Sequence, residues 1–272
     1  MTVALIVLGS LCLVALIYVY LLFPSRRKHK DLKLIEGKFI AHRGLHGLCK
    51  NAPENSLEAF RRAVEHGFPI EIDIHLTADG KIVVFHDDFL DRICKTSGRV
   101  EDKTLAELKA LSIADTDCKI PTLQECLDTV AGKVPLLIEF KCRELRCDKL
   151  CETANKILSR YKGKYLIQSF YPTVLKWYRK HRKDICRGQL AATFRGDELY
   201  KHTLGYMPFN FLSRPDFVSF NHVDAKWIPR RMVTSFGAYP VGWTFQSQEE
   251  LDKSGKYFKT HIFEGFVPKK VI

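Results

Sequence analysis

Three consecutive stretches decide the fold: Lys38-Phe39-Ile40-Ala41, Ser56-Leu57-Glu58-Ala59-Phe60-Arg61-Arg62-Ala63-Val64-Glu65-His66 and Pro69-Ile70-Glu71-Ile72-Asp73-Ile74. The first is a short apolar run ending at His42, a strand. In the second, Leu57, Phe60, Ala63 and Val64 recur on one face at helical spacing, and Gly67 stops the pattern. The third alternates strictly, as a strand does. Lys81-Ile82-Val83-Val84-Phe85 reads as another strand, reached through an Ala78-Asp79-Gly80 turn. Val134 to Phe140 is a buried-strand run followed by a helix through Leu150, and shorter runs follow at 165–168, 185–190, 217–220, 240–244 and 261–263. Helical stretches separate most of them. Repeated strand–helix alternation implies parallel pairing with right-handed crossovers. About eight strands over roughly 235 residues suit a closed (β/α)8 TIM barrel. A doubly wound open sheet would want a Gly-rich strand-to-helix turn, and none is present. Residues 88–121 break the alternation, with one helix-like stretch at 104–111, and read as a small insertion after the second strand.

The chain has 272 residues, 46% hydrophobic and 27% charged, which excludes disordered, collagenous and low-complexity classes. A net charge of +12 suits anionic partners. No basic stripe interleaved with aromatics appears, so nucleic acid is not the expected partner.

From Val3 to Phe23 no residue is charged. At about 1.5 Å per residue such a helix spans roughly 31 Å, the thickness of a bilayer's hydrocarbon core. Tyr18 and Tyr20 lie toward one end, and Arg26, Arg27, Lys28 and Lys30 follow immediately. A cleaved signal peptide would place cations before the run, keep it shorter and end it at small residues. None of these holds. The expected organisation is a membrane anchor at 1–24, a basic linker at 25–37 and the barrel at 38–272. The basic flank predicts a single-pass protein with its barrel in the cytoplasm. The nine cysteines form no CxxC pair and no zinc spacing; Cys142, Cys147 and Cys151 cluster without a fourth ligand. Free thiols in a reducing compartment are expected.

Barrel active sites collect at the C-terminal ends of strands, and polar residues gather there in this sequence. The first strand ends in His42-Arg43-Gly44, the second carries Glu71 and Asp73, the next ends in His86-Asp87, and Glu139 precedes Lys141. Glu71 and Asp73 are two apart on a strand and share a face. On a luminal face they would repel unless a cation or proton joined them. With Glu139 they offer three oxygen donors, which suit a hard divalent ion such as Mg²⁺ or Ca²⁺. Taken singly, each feature has an ordinary reading: a structural histidine, carboxylates facing solvent, a plain ion pair.

Their order is more specific. His42-Arg43-Gly44, Pro53-Glu54-Asn55-Ser56 with Ala59-Phe60, Glu71-Ile72-Asp73, and His86-Asp87 with Leu90 and Arg92 strongly resemble the glycerophosphodiester phosphodiesterase family. The likeness runs on through Gly98-Arg99-Val100, Thr104 to Leu108, Ile120 to Leu123, Glu139-Phe140-Lys141, Gln168-Ser169-Phe170 and Gly242-Trp243-Thr244, the whole chain after the anchor. The resemblance implies a (β/α)8 barrel with an insertion after its second strand, and a metal-dependent phosphodiesterase. By it, His42 and His86 are the acid/base pair, and His86 also lies near the metal in some members. Glu71, Asp73 and Glu139 hold the ion, Arg43 and Lys141 bind phosphate, and Glu54, Asn55 and Trp243 support the site. Ser56 replaces a commoner Thr. Phe245-Gln246 follows Trp243-Thr244 where Val-Asn is usual, which bears on the alcohol-side contacts.

Three functions compete. The first is hydrolysis of glycerophosphodiesters to glycerol 3-phosphate and an alcohol at a membrane surface. The second is loss of the head group from lysophospholipids, a lysophospholipase D reaction. The third is a non-catalytic, membrane-anchored phosphodiester-binding protein, against which the complete set of polar residues argues. The phospholipase C type of two-histidine barrel fits less well where it works without a metal.

Overall fold

The computed structural model describes residues 2–142, 147–193 and 204–269. Its strands are β1 (Phe39–His42), β2 (Ile70–Leu76), β3 (Ile82–Val84), β4 (Leu136–Phe140), β5 (Tyr165–Ser169), β6 (Arg187–Ala191), β7 (Phe217–Asn221), β8 (Tyr239–Phe245) and β9 (Thr260–Phe263). All but β3 pair in parallel, and β1 hydrogen-bonds both β2 and β9, so the sheet closes into the expected eight-stranded barrel. The helices are α1 (Thr2–Leu22), α2 (Leu57–Glu65), α3 (Asp91–Cys94), α4 (Leu105–Ala110), α5 (Leu123–Val130), α6 (Asp148–Leu158), α7 (Pro172–His181), α8 (Asn210–Ser213), α9 (Ile228–Ser235) and α10 (Gln248–Ser254). Apolar faces of α2, α5, α6 and α7 cover the strands from outside, and the main core lies between these two layers.

The strand period of two sorts the rest. Leu136, Ile138 and Phe140 of β4 face the helices, while Leu137 faces the lumen. Ile40, Leu137, Leu166, Phe217, Val241 and Ile262 form one apolar luminal cluster. Two residues further along five of these strands stand His42, Glu139, Gln168, Trp243 and, just past β9, Glu264. An apolar layer therefore floors a polar one. Gly188 makes room in that floor, since a Cβ there would lie 2.0 Å from the Phe217 ring.

The apolar floor is closed from below by the segment expected to be a linker. Residues Lys30–Leu34 form a 3-10 turn, and Leu32 and Ile35 are buried against Ile40 and Tyr239. At about 1.5–3 kcal/mol for each fully buried aliphatic side chain, this packing makes 30–37 part of the barrel. Three apolar residues, Leu32, Leu34 and Ile35, among charges are too short a run to carry a periodic signal, which is why the sequence reads as a linker.

The insertion also differs in extent. It begins with β3, which pairs antiparallel to β2 (Ile74 opposite Val84), and Val83 bridges back to Thr122. Its own small core comprises Val83, Phe85, Leu90, Val100, Leu108, Ile113 and Ile120. Capping boxes at Thr104–Glu107 and Thr122–Glu125 fix the starts of α4 and α5. Of the helix expected to run through Leu150, residues 143–146 lie outside the described residues, and the helix that is described occupies Asp148–Leu158. Cys142 and Cys147, expected as free thiols, are joined in a disulfide.

Helix α1 is exposed along most of its length and buries only Leu22. Its last carbonyls, which no helical N–H reaches, are met by the base of the barrel. Asn210 donates to Leu22 O (3.1 Å), and Arg214 donates to Tyr20 O (3.0 Å) and Phe23 O (2.7 Å).

Candidate active site

The polar layer at the C-terminal ends of the strands brings the expected residues together. His42, Arg43, Glu71, His86, Glu139, Lys141 and Trp243 line one cavity of ≈ 80 Å³. Larger cavities exist elsewhere in the molecule; this one is distinguished by its chemistry.

Glu71, Asp73 and Glu139 are buried, with oxygens that lie within 4.8 Å of one another. Register accounts for this, because Asp73 pairs with Glu139 across β2 and β4 and Glu71 is two residues earlier on the same face. Lys141 Nζ lies 3.1 Å from Asp73 Oδ1 and 2.6 Å from Glu139 Oε1. Arg43 Nε lies 3.6 Å from Asp73 Oδ2. Burial opposes ionisation of Asp73, yet Lys141, His86 and Arg43 hold its carboxyl well below the usual range. Glu71 goes the other way: burial, then Asp73 and Glu139, push its carboxyl well above the usual value. Burial also raises Glu139, against the pull of Lys141.

Two buried oxygens here, Asn55 Oδ1 and Gln168 Oε1, accept no hydrogen bond among the described residues, and Asp73 Oδ1 and Glu139 Oε1 have only the Lys141 ammonium beside them. Unsatisfied hard oxygen donors around crowded carboxylates are the donor set of a divalent cation such as Mg²⁺ or Ca²⁺. The residues fit the ion.

Both histidines turn Nδ1 to a carboxylate. His42 Nδ1 is 2.5 Å from Glu264 Oε2, and its Nε2 lies 3.9 Å from Glu71. His86 Nδ1 is 2.6 Å from Asp87 Oδ1. A carboxylate on Nδ1 fixes the tautomer and leaves Nε2 as the working atom. Burial lowers the His42 pKa to about 4, with the Glu264 hydrogen bond opposing. His42 is therefore neutral at pH 7. Arg43 Nη1 donates to Glu54 Oε1 (2.8 Å), Arg92 bonds both Glu54 and Asp87, and one chain of charges thus ties Arg43 to His86.

Local backbone explains the His-Arg-Gly and Glu-Asn pairs. Arg43 and Asn55 both have φ 55°, the left-handed region that costs a side-chain-bearing residue about 1–2 kcal/mol. Asn55 N donates to Arg43 O (2.9 Å), and Asn55 Nδ2 donates to Asp73 Oδ2 (3.0 Å). Gly44 is required at φ +83°, where a Cβ would come within 2.8 Å of Ala59. Trp243 packs edge-to-face on Phe170, centroids 5.8 Å apart, as one apolar wall.

The chain matches the model of the glycerophosphoryl diester phosphodiesterase family over residues 42–255. It belongs to that family. Glycerophosphodiester phosphodiesterase 1 of Rattus norvegicus is 37% identical over 99% of this chain and 89% of its own length, and the Homo sapiens protein of that name is 27% identical over 97% and 87%. A glycerophosphodiester phosphodiesterase of Caldanaerobacter subterraneus is 38% identical over 48% of this chain, a match that spans 57% of that protein. Among solved structures, an Oleispira antarctica phosphodiesterase in complex with the product sn-glycerol-3-phosphate superposes with TM-score 0.70 at 22% identity, covering 86% of this chain and 95% of that one. The Thermotoga maritima glycerophosphodiester phosphodiesterase does so with TM-score 0.62 at 25% identity over 84% and 93%.

For this family member, sequence reasoning missed Glu264 and quoted Asp87, Arg92 and Gln168 only as motif residues without a role; Gln168 Nε2 donates to Glu71 (3.3 Å). Position offered a signal for Glu264, two residues beyond luminal Ile262. Gln246, noted as a departure, does not line the cavity; its Nε2 donates to Glu264 Oε1 (2.7 Å).

Glu71 gives a test of the crowding. A carboxyl whose folded pKa is raised contributes stability that is fully present below its unfolded pKa, about 4.3, and is lost as pH rises through the folded value. In chelator, Glu71→Gln is expected to melt above the wild type, by a margin that widens as pH rises from about 5; each kcal/mol relieved is worth ~2–4 °C. Adding a divalent ion should stabilise only the wild type. A variant that melts at or below the wild type in chelator would show that the carboxylates are not in conflict.

Proposed function

We propose that this protein hydrolyses glycerophosphodiesters to glycerol 3-phosphate and an alcohol, with a divalent ion on Glu71, Asp73 and Glu139 and proton transfer by His42 and His86. The single observation that carries the reading is the polar layer, which faces two carboxylate-backed histidines, Glu71, Glu139 and two cations into one cavity, with Asp73 buried beside them. The product named for the Oleispira relative, sn-glycerol-3-phosphate, supports the same substrate class.

A diester monoanion resists attack until its charge is met. When bound, the ion supplies Lewis-acid neutralisation of phosphoryl oxygen charge. Arg43, held by Glu54, adds a fixed cation. Once Asp73 and Glu139 are otherwise neutralised, the Lys141 ammonium is available to a phosphate oxygen. Neutral His42 accepts the nucleophile's proton at Nε2 while Glu264 steadies the imidazolium that forms. His86, with Asp87 behind it, donates to the leaving alkoxide. Asn55 keeps Asp73 in place, and Trp243 walls the organic side of the cavity.

The assay is glycerol 3-phosphate or head-group release by the full chain in detergent, from glycerophosphocholine, glycerophosphoethanolamine, glycerophosphoglycerol and lysophosphatidylcholine, with Mg²⁺, Ca²⁺ or EDTA. Ion-dependent release from the soluble diesters is expected, abolished in Glu71→Ala and lowered ~10²–10⁴-fold in His42→Ala and His86→Ala. Glu264→Ala should lower kcat with KM little changed. Release from the lysolipid alone would favour the lysophospholipase D reading. Binding of intact diester without turnover by the folded, ion-loaded chain would favour the non-catalytic one.

The α1 helix is long and apolar enough to cross a membrane, and we read it as an anchor. The cations after it support a cytoplasmic barrel. The Cys142–Cys147 disulfide is the observation on the other side, since such bonds persist in oxidising compartments. Exposed Cys49 distinguishes the two: in intact cells a membrane-impermeant maleimide should leave it unlabelled, and labelling would place the barrel outside.

A further inference from the structure

At the end of the barrel opposite the candidate active site, a second polar cavity of ≈ 560 Å³ opens where α1 meets the strands. Arg26, Arg27, Arg179, Lys183, Arg187 and Arg214 line it, with the rings of Tyr20 and Phe23 on the side of α1. Arg187 is the first residue of β6, and Asp216 directly precedes β7, so the cavity sits at the N-terminal ends of the strands.

Six cations converge there. Among the described residues, Asp216 is the one carboxylate within 4 Å of any of them, and Arg27 already occupies it (Nε to Oδ1 3.0 Å, Nη2 to Oδ2 3.1 Å). Arg179 and Arg214 spend donors on backbone carbonyls of 211–212 and of Tyr20 and Phe23. Arg187 is 4% exposed. It donates from Nε to Ser213 O (2.9 Å) and from Nη2 to Arg214 O (3.1 Å), but its Nη1 finds no hydrogen-bond acceptor among the described residues, Asp216 Oδ2 being 3.9 Å away. A buried guanidinium nitrogen without an acceptor is costly. Burial, Arg27 and Arg179 together lower the pKa of Arg187 despite Asp216, the direction expected of a cation short of counter-charge.

We propose that this cavity binds a phosphate group, and that the group belongs to an anionic phospholipid beside the anchor. Arginine forks match phosphate oxygens, and a phosphate seated there would supply the counter-charge that the cations around buried Arg187 lack. The lipid source follows from position. Tyr20 and Phe23 are the end of the apolar helix, and Arg214 covers the Tyr20 ring at 4.8 Å while capping the helix carbonyls. The cavity therefore begins at the depth where an anchor leaves the hydrocarbon for the headgroups. Its floor is the barrel base, so an occupied cavity would hold the barrel with its active-site end away from the bilayer.

The test is native mass spectrometry of the full chain released from detergent, titrated with phosphatidic acid or phosphatidylcholine, with inorganic phosphate as a separate arm. One phosphatidic acid per chain is expected, held about tenfold tighter than phosphatidylcholine. Arg187 is built into the fold, so the variant of choice is exposed Lys183→Gln with Arg26→Gln, its melting temperature checked in pure detergent. It should weaken phosphatidic acid about tenfold and leave phosphatidylcholine unchanged. Displacement of the lipid by comparable amounts of inorganic phosphate would keep the phosphate site and make its ligand a soluble ester. Equal affinity for both lipids, or no loss in the folded double variant, would overturn the proposal.

Discussion

Three carboxylates buried within 4.8 Å of one another, Glu71, Asp73 and Glu139, are the constraint on which the upper half of the barrel depends. At an effective dielectric of about 20, each like-charged pair at that separation costs about 3 kcal/mol. Three such pairs approach the whole stability of an ordinary domain, ~5–15 kcal/mol. Lys141 and Arg43 offset part of this, while burial, with Asp73 and Glu139 beside it, pushes the Glu71 carboxyl above its usual value. A closed parallel barrel can bear the remainder because its backbone pairing is complete and its apolar floor holds the strands in register below the charges. The same crowding gathers hard oxygen donors that fit the divalent ion we propose there.

Much of this was legible in the sequence because it is written locally. Alternation in β2 gives Glu71 and Asp73 one face, and an apolar run ending in Glu139 places a third carboxylate at a strand end. The ordered motifs then single out the family. What escaped depends on non-local closure. Glu264 acquires meaning only when β9 returns to β1 and brings it against His42. Leu32 and Ile35 look like stray apolar residues until a barrel base exists for them to cover. The strand at 82–84 has the pattern of a barrel strand, and only its antiparallel pairing assigns it to the insertion. The Cys142–Cys147 bond has no spacing signature that would have announced it.

The molecule divides its charge between two ends. At the C-terminal ends of the strands, carboxylates crowd beyond what Lys141 and Arg43 offset, and the proposed divalent ion would complete the balance. At the N-terminal ends, cations outnumber acceptors, and what is short is an anion. Two apolar layers, the luminal floor and the Leu32–Ile35 plug, separate the ends. The apolar helix α1 joins the barrel at the end away from the chemistry, which supports our proposal of soluble head-group diesters as substrates.

The central claim is that Glu71, Asp73 and Glu139 are completed by a divalent ion. Anomalous diffraction from crystals soaked in Mn²⁺ tests it most directly. The account predicts one anomalous peak within about 2.6 Å of an oxygen from each of the three carboxylates, with Lys141 Nζ drawn away from Asp73 and Glu139. A site without a peak at saturating Mn²⁺, with Lys141 still bridging those two carboxylates, would contradict it.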